Sequence, residues 1–218
     1  MKYIVGIDEA GRGPLAGPVA IGIVTVPKNI EHRVFNIFRE LNREKRKSKT
    51  NLSIHRGRIR WVKDSKQLNE KKREEIFEKI KKETKAGKLK YAVGFGSVEL
   101  IDKEGITRAI AYAIARVIRK FKTKPSQMKV LLDGSLKAPK KFKNQKTIIK
   151  GDEKEMIIAL ASICAKVLRD RLMKRLAKKY PKYGFEIHKG YGTKAHIRAI
   201  KKYGLSKIHR KSFCKKFV

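Results

Sequence analysis

The chain of 218 residues carries 57 lysines and arginines against 20 aspartates and glutamates, a formal charge of +37. Its 41% hydrophobic content excludes a disordered or fibrous protein, and its length suits one domain with a sizeable core. Such an excess of positive charge is relieved by a polyanion, so nucleic acid is the first candidate partner and an anionic membrane the second. The alternative is a lysine-rich surface without a specific partner.

In the first half of the chain, β-branched runs at 3–7 and 17–26 predict two neighbouring strands joined by a glycine- and proline-rich turn. Residues 28–61 are rich in positive charge and lack a clear period beyond a possible helix start. We interpret them as a basic insertion or excursion, partly mobile. An amphipathic helix with an asparagine N-cap is predicted at 69–84, and a strand at 90–98.

The second half alternates helices and strands. Apolar residues recur with helical spacing over 106–118, and short apolar strands are predicted at 128–133 and 146–150. Residues 156–168 are apolar almost all round, which predicts a buried helix, and a last helix is predicted at 194–203. The order of elements indicates a mixed α/β layer structure.

Two cysteines occur without a CxxC pair, which argues against a zinc knuckle or a disulfide scaffold and suits a reducing cytoplasm. Cys164, on the apolar helix, is predicted to be a buried structural thiol. The N-terminus becomes acidic too early for a signal peptide, and the sequence has no apolar run of about 18 residues. We therefore expect a cytoplasmic protein without a membrane association.

Three acids stand out from those on solvated helix faces. Asp8 and Glu9 follow the first predicted strand, and Asp133 ends a later one before Gly134. Carboxyl ends of strands are where α/β enzymes place working groups, although an aspartate beside glycine is also a common turn residue. Adjacent buried carboxylates repel unless a cation lies between them, and Mg²⁺ or Mn²⁺ prefers such oxygen ligands. A basic protein with these acids suggests a metal-dependent nuclease.

Six segments, in order, closely resemble the motifs of ribonuclease HII, the type 2 ribonuclease H family. They are Asp8-Glu9-Ala10-Gly11-Arg12-Gly13-Pro14, Lys63-Asp64-Ser65-Lys66, Asp133-Gly134, Lys150-Gly151-Asp152, Ala161-Ser162-Ile163 through Lys166, and His188-Lys189-Gly190-Tyr191-Gly192-Thr193. The resemblance runs from Tyr3 to about Phe213, interrupted only by the basic insert. Six motifs in the correct order are far more specific than any one of them.

This resemblance implies an α/β RNase H-like fold, a five-stranded mixed sheet flanked by helices. It implies one catalytic domain over 1–218, with a helical, substrate-binding C-terminal part at about 180–218. The implied reaction cuts on the 5′ side of ribonucleotides in RNA/DNA hybrids, or of single ribonucleotides in duplex DNA, leaving 3′-hydroxyl and 5′-phosphate ends. It uses Mg²⁺ or Mn²⁺ at a two-metal site and no small-molecule cofactor. We expect a monomer.

The resemblance also implies four catalytic, metal-binding carboxylates: Asp8, Glu9, Asp133 and Asp152. Glu153 and Glu155 remain alternatives to the last of them. RNA is distinguished from DNA by the 2′-hydroxyl, and glycines permit close backbone approach. Substrate contacts are implied for two groups of residues, Gly11, Arg12 and Gly13 at the ribose and phosphate, and Tyr191 at the sugar of the following DNA residue. The alternatives are a turn role for the glycines and a core position for the tyrosine.

Further phosphate contacts are suggested for Ser65 and Lys66, against the alternative of a plain turn with solvated lysines. We predict that five residues of the last segment line the duplex: His188, Lys189, Thr193, Lys194 and Arg210. Lys166, within an apolar helix, needs a carboxylate or phosphate partner.

Two features depart from the family pattern. Gly105 stands where the family usually has asparagine, which predicts a weaker helix start or a changed hydrogen bond. The insert at 28–61 either extends the duplex footprint or is a tolerated surface insertion. The competing functions are a non-catalytic basic RNA-binding protein, the sister ribonuclease HIII, and another RNase H-like nuclease. A pure binder has no reason to cluster acids against a phosphate backbone.

Overall fold

A computed structural model describes residues 1–43 and 68–217 and contains one five-stranded sheet in the order β3-β2-β1-β4-β5. The strands are β1 Tyr3–Ala10, β2 Val19–Pro27, β3 Lys90–Gly96, β4 Met128–Asp133 and β5 Gln145–Ile148. β2 is antiparallel to β1 and β3, whereas β4 is parallel to β1 and β5. The prediction of a five-stranded mixed sheet is confirmed.

Helices cover both faces of this sheet, as predicted. They are α1 Glu31–Arg43, α2 Glu70–Lys85, α3 Val98–Ile118, α4 Gly151–Lys154, α5 Met156–Lys179, α6 Phe185–His188, α7 Lys194–Tyr203 and α8 Lys211–Cys214. One core cluster lies between α3 and the sheet, and a second lies between the sheet, α5 and α2. None of the helices in the described ranges has the length and apolar character needed to cross a membrane.

The ends of the first two strands differ from the prediction. β1 continues to Ala10 because Asp8 pairs with Gly22 and Ala10 with Ala20 of the antiparallel neighbour. β2 starts only at Val19, after Gly17 takes a left-handed φ of 83°. The acidic pair therefore lies within the end of a strand, where its backbone is paired with β2.

The backbone of α5 packs directly on the sheet. A Cβ atom at Gly6 of β1 would lie 2.2 Å from the carbonyl oxygen of Ile157, and one at Gly22 of β2 would lie 2.1 Å from that of Ala161. Only residues without a side chain permit this approach. It brings the first turns of α5 over the carboxyl end of β1. The helix also continues to Lys179, well beyond the predicted 156–168, as its sequence becomes amphipathic.

The possible helix start within 28–61 is confirmed by α1, whereas the interpretation of this first part as an excursion was wrong. α1 buries Val34 and Phe38 in the core cluster that also contains Phe77 of α2. Val34, Ile37 and Phe38 recur at helical spacing, so this helix has an apolar side that packs on the core. The rest of the insert, and the predicted phosphate contacts Ser65 and Lys66, lie outside the described residues.

α3 is interrupted at Gly105, whose φ of 80° and ψ of 159° are not helical. The predicted helix over 106–118 therefore follows a separate helical segment that begins at Val98. In the turn before the break, the Asp102 carboxylate accepts hydrogen bonds from the backbone N–H groups of Lys211 and Ser212, both at 2.9 Å. The first part of α3 thus anchors the start of α8.

Candidate active site

Asp8 and Asp133 lie side by side at the carboxyl ends of the neighbouring strands β1 and β4. Together with Glu9 they form the acidic edge of the sheet. β1 and β4 are parallel with Ile7 opposite Leu132, so the next residue of each strand reaches the same carboxyl end. The Asp8 side chain is buried, and the hydroxyl of Ser162 on α5 hydrogen-bonds to its carboxylate. This contact depends on the close approach of α5 to the sheet.

The acids at this edge destabilise one another's charge. Burial raises the pKa of Asp8 well above its usual value, the charges of Glu9 and Asp133 raise it further, and the Ser162 hydrogen bond opposes the shift. Burial also raises the pKa of Glu9, an effect that Arg12 opposes and Asp133 reinforces. In the described part of the chain, Oε2 of Glu9 is buried without a hydrogen-bond partner. A cation among these carboxylates would relieve both effects.

The donor chemistry of these acids fits a divalent cation. Neighbouring residues of a strand point to opposite faces, so Asp8 faces α5 and Glu9 faces away from it. Across residues 1–43 and 68–217, no three His, Cys, Asp or Glu side chains are already arranged to hold a metal ion.

Asp152 lies beside Asp133, because the backbone N–H of Gly151 donates to Oδ1 of Asp133 at 2.6 Å. Asp152 is 5% exposed. Glu153, by contrast, is exposed and lies 4.0 Å from the ammonium group of Lys150. Of the two acids, the structure places Asp152 in the buried edge and Glu153 towards solvent.

The two glycines after β1 differ in their surroundings. Gly11 has a φ of 88°, and a Cβ atom there would overlap the side chain of Arg169, so backbone conformation and packing both require glycine. Gly13 has no positive φ and no atom within 4 Å of a Cβ position. Between them, the Arg12 side chain is 46% exposed and lies 3.5 Å from Oε1 of Glu9. The turn alternative thus accounts for Gly11 and leaves Gly13 unexplained.

Tyr191 is 42% exposed, so the alternative of a core aromatic is wrong. The ammonium group of Lys166 lies 5.8 Å from the centre of its ring, and the guanidinium of Arg169 lies 5.9 Å from it. Lys166 also pairs with Asp170 at 2.8 Å, which confirms the predicted carboxylate partner.

A chain of buried histidines fixes the backbone of Tyr191. Nδ1 of His196 lies 2.9 Å from the carbonyl oxygen of Tyr191 and must carry the proton, so its Nε2 accepts from Nε2 of His209 at 3.0 Å. Nδ1 of His209 then accepts from the backbone N–H of Ser206 at 2.9 Å. Burial lowers the pKa of both histidines to about 4, which keeps them neutral. Their sequence spacing gave no signal of this network.

Arg210 does not line a surface, and its predicted contact with the duplex is wrong. It is fully buried and donates to the carbonyl oxygens of Gly11, Arg12 and Gly17. The alternation of charged and apolar residues in the sequence gave no sign that an arginine would point inward.

The side chains of the other predicted duplex contacts differ in their exposure to solvent. Lys189 is 9% exposed and donates to the carbonyl oxygen of Glu186, and His188 is half-buried. Thr193 caps α7 with its hydroxyl, while Lys194 is exposed. Cys164 is buried, as predicted, and burial raises the pKa of its thiol.

The family model described as Ribonuclease HII matches residues 58–216. The chain belongs to the ribonuclease HII family. It is 44% identical over 210 residues to the ribonuclease HII of Endomicrobium trichonymphae, covering 96% of this chain and 84% of that relative. Ribonuclease HII of Fusobacterium nucleatum is 42% identical over 220 residues, covering 100% of this chain and 88% of the relative.

The crystal structure of ribonuclease H2 from Pyrococcus horikoshii has a TM-score of 0.66 and 26% identity, with 99% of this chain and 96% of that chain covered. The fold is therefore RNase H-like, and membership of the ribonuclease HII family makes the chain a ribonuclease H, a nuclease that hydrolyses its substrate. The alternatives of a non-catalytic binder and of ribonuclease HIII are set aside by this membership.

The position of Asp152 leads to a paired test. Replacing it with asparagine is expected to lower ribonuclease activity by about 10²-fold, because it removes a charge buried at the acidic edge. Glu153→Gln removes an exposed charge from the next residue and should leave activity within about twofold, since it changes little beyond a weak surface pair. The cleavage rates of the two variants are measured side by side. A larger loss of activity in Glu153→Gln than in Asp152→Asn would assign the catalytic role to Glu153.

Proposed function

We propose that the chain hydrolyses the phosphodiester on the 5′ side of a ribonucleotide, either in an RNA/DNA hybrid or singly embedded in duplex DNA. The products are a 3′-hydroxyl and a 5′-phosphate. The proposal is carried by one observation, the mutually repelling carboxylates of buried Asp8 and half-buried Glu9 and Asp133. The first two of these lie directly before the glycine-rich segment at 11–13. Metal chemistry and ribose recognition thus meet at the end of one strand.

Asp8, Glu9, Asp133 and Asp152 would hold Mg²⁺ or Mn²⁺ in this proposal. When bound, a pair of divalent ions supplies an activated water and neutralises charge on the leaving oxygen. The protein contributes the orientation of the carboxylates. Ser162 holds Asp8, and the backbone of Gly151 holds Asp133, so each side chain has one oxygen fixed from outside the acidic edge.

Gly13 provides the room for a ribose. Its surroundings leave open space where any other residue would have a side chain, and neither backbone strain nor packing explains the glycine. A 2′-hydroxyl approaching the backbone there would meet amide groups, and the exposed Arg12 side chain is free to turn towards a phosphate.

Tyr191 forms the other side of the proposed site. Its exposed ring is held in place by cations beneath it and by the histidine chain behind it, so it offers a fixed flat surface to a sugar. The C-terminal segment at about 180–217 supplies this surface, and backbone hydrogen bonds from Leu15 and Ala16 to the carbonyl oxygen of Gly190 join it to the loop after β1.

The direct test uses a DNA duplex with one central ribonucleotide, purified protein and Mg²⁺ or Mn²⁺. We expect a single cut on the 5′ side of the ribonucleotide and no cut in the all-DNA duplex. End analysis of the products should give a 3′-hydroxyl. Failure to cut with either ion, by protein that is folded by circular dichroism, would refute the proposed substrate and reaction.

Gly13→Ala tests the open space at this position. Stability should change by no more than about 0.5 kcal/mol, because the residue is exposed and the new methyl group meets nothing. Cleavage at a single ribonucleotide should fall roughly tenfold, since that methyl group occupies the approach of the ribose and weakens its hydrogen bond. Urea unfolding and initial rates measure the two effects separately. Undiminished cleavage would mean that the ribose does not approach Gly13.

A further inference from the structure

Two arginines that the proposed function does not use lie behind the loop after β1. Arg169 of α5 and Arg210 before α8 are both fully buried, and neither forms an ion pair with a carboxylate of the described residues. Every donor nitrogen of the two side chains instead reaches a backbone carbonyl. Arg210 donates to Gly11, Arg12 and Gly17 at 2.6, 2.8 and 2.9 Å, and Arg169 donates to Pro18, Lys189 and Ala16 at 3.0, 3.0 and 3.2 Å.

These contacts fix the direction of two amide groups. In a trans peptide unit the carbonyl of one residue and the N–H of the next point in opposite directions, and the structure has no cis peptide bond among the described residues. Arg210 draws the carbonyls of Gly11 and Arg12 inward, so the N–H groups of Arg12 and Gly13 face away from it, towards the exposed side. Successive amides that point the same way form a site for an anion or a lone pair.

The buried charge strengthens this arrangement. Burial beside a second arginine lowers the pKa of Arg210 to about 9, and it remains a cation at neutral pH. A guanidinium held on two carbonyls polarises those peptide units and makes their N–H groups stronger donors. Lysine could not reproduce this, because its single nitrogen lacks the planar fork that holds both carbonyls.

Arg169 connects the same loop to the other side of the site. One of its nitrogens binds the carbonyl of Lys189, two residues before Tyr191, while the other two bind the loop at Ala16 and Pro18. The side chain also fills the space next to Gly11, where any Cβ would overlap it. One guanidinium therefore sets the distance between the amide groups and the tyrosine ring.

We propose that Arg210 and Arg169 are positioning residues for ribose discrimination, holding the Arg12 and Gly13 amides towards the 2′-hydroxyl and fixing their spacing from Tyr191. The inference rests on the proposed function and adds to it the residues on which the choice of ribose over deoxyribose depends. Neither arginine touches the substrate.

The test compares two duplexes that differ in one atom group, a single ribonucleotide and its 2′-fluoro analogue. The readout is the ratio of kcat/KM for the two substrates. A loss of folded protein lowers both rates in proportion and cancels in this ratio, whereas a displaced amide lowers the rate on the ribonucleotide more. Arg210→Lys is expected to reduce the ratio roughly tenfold, and Arg169→Lys to reduce it in the same direction.

Two further variants complete the design. Arg171→Lys is on the same helix as Arg169 but only half-buried, and its side chain is paired with Glu74 and Glu78. It should leave the ratio unchanged. Asp102→Asn weakens the anchor of Lys211 and Ser212 and removes the attraction of the Asp102 carboxylate for Arg210, while both buried arginines are kept. It should lower the ratio by a smaller factor. If Arg210→Lys does not fold, the ratio measured for Asp102→Asn tests the positioning role instead.

The outcomes distinguish failure of the proposed function from failure of the positioning role of the arginines. If the wild-type protein does not cut at the ribonucleotide, the proposed function fails. If it cuts and prefers the ribonucleotide over the 2′-fluoro analogue, but the arginine variants and Asp102→Asn keep that preference within twofold, the positioning role alone is overturned. A reduced ratio in these variants, with an unchanged ratio in Arg171→Lys, supports it.

Discussion

Asp8→Asn should reduce cleavage at an embedded ribonucleotide by about 10³-fold and, at the same time, make the metal-free protein more stable. The loss of rate follows from the proposed role of this carboxylate in holding a divalent ion, which contributes several kcal/mol of charge stabilisation in the transition state. The gain in stability follows from its burial beside Glu9 and Asp133, which the neutral amide tolerates better.

The free energy of unfolding of the metal-free protein depends on pH in a definite direction. Because burial raises the pKa of Asp8 in the folded protein, the folded state binds more protons than the unfolded state between the two pKa values. The free energy of unfolding therefore falls as the pH rises through that interval, starting near the ordinary aspartate value. Glu9, whose pKa is also raised, acts in the same direction. Asp8→Asn should flatten the fall.

Urea unfolding in EDTA across this pH range measures the effect, and repeating it with Mn²⁺ adds a control. The ion should raise the stability of the wild-type protein at neutral pH and have little effect on Asp8→Asn, since the ligand is gone. A variant that cleaves at the wild-type rate, or that is destabilised in EDTA, would contradict the assignment of Asp8.

Gly22→Ala should produce the largest loss of stability, about 3 kcal/mol. Its Cβ would lie 2.1 Å from the carbonyl oxygen of Ala161, a backbone atom of α5 that cannot move without the helix. In a domain of this size the melting temperature should fall by roughly 10 °C. As α5 is pushed from the sheet, Ser162 is drawn away from Asp8, so activity should fall even below the melting transition.

Thermal unfolding and activity at a temperature where the variant is folded are the two measurements. For the melting temperature, Gly13→Ala is the matched control, because the same change there meets no atom within 4 Å. Equal melting temperatures for Gly22→Ala and the wild-type protein would show that α5 does not rest on the strand as described.

The spacing of apolar residues in the sequence predicted most of the helices and strands. The positions of the acids at the strand ends could be predicted from those strands. The apolar run before Asp133 and the β-branched run before Asp8 identify neighbouring strands whose ends meet, and this requires only local patterns. α1 was predicted only as a possible helix start, although Val34, Ile37 and Phe38 follow helical spacing, because the basic stretch after it has no clear period. That the helix packs into the core became known only from its tertiary contacts.

The direction of Arg210 could not be predicted for a different reason. Arginine is usually found at the surface, and its burial here depends on carbonyl groups nearly two hundred positions earlier in the chain. The same applies to His196 and His209, which meet through a turn that brings together two segments without a motif of their own. Such partners become visible only when the tertiary structure is known.

The contact between Arg210 and Gly11 spans 199 positions, and this has a consequence during synthesis on the ribosome. The strands and α5 are complete by residue 179, so the sheet can assemble while the rest of the chain is still being made. The loop after β1 acquires its final shape only when residue 210 has emerged, because long-range contacts form after the local ones. Under the proposed function, a strongly basic nascent chain, surrounded by ribosomal RNA, would remain unable to select a ribose until residue 210 has emerged.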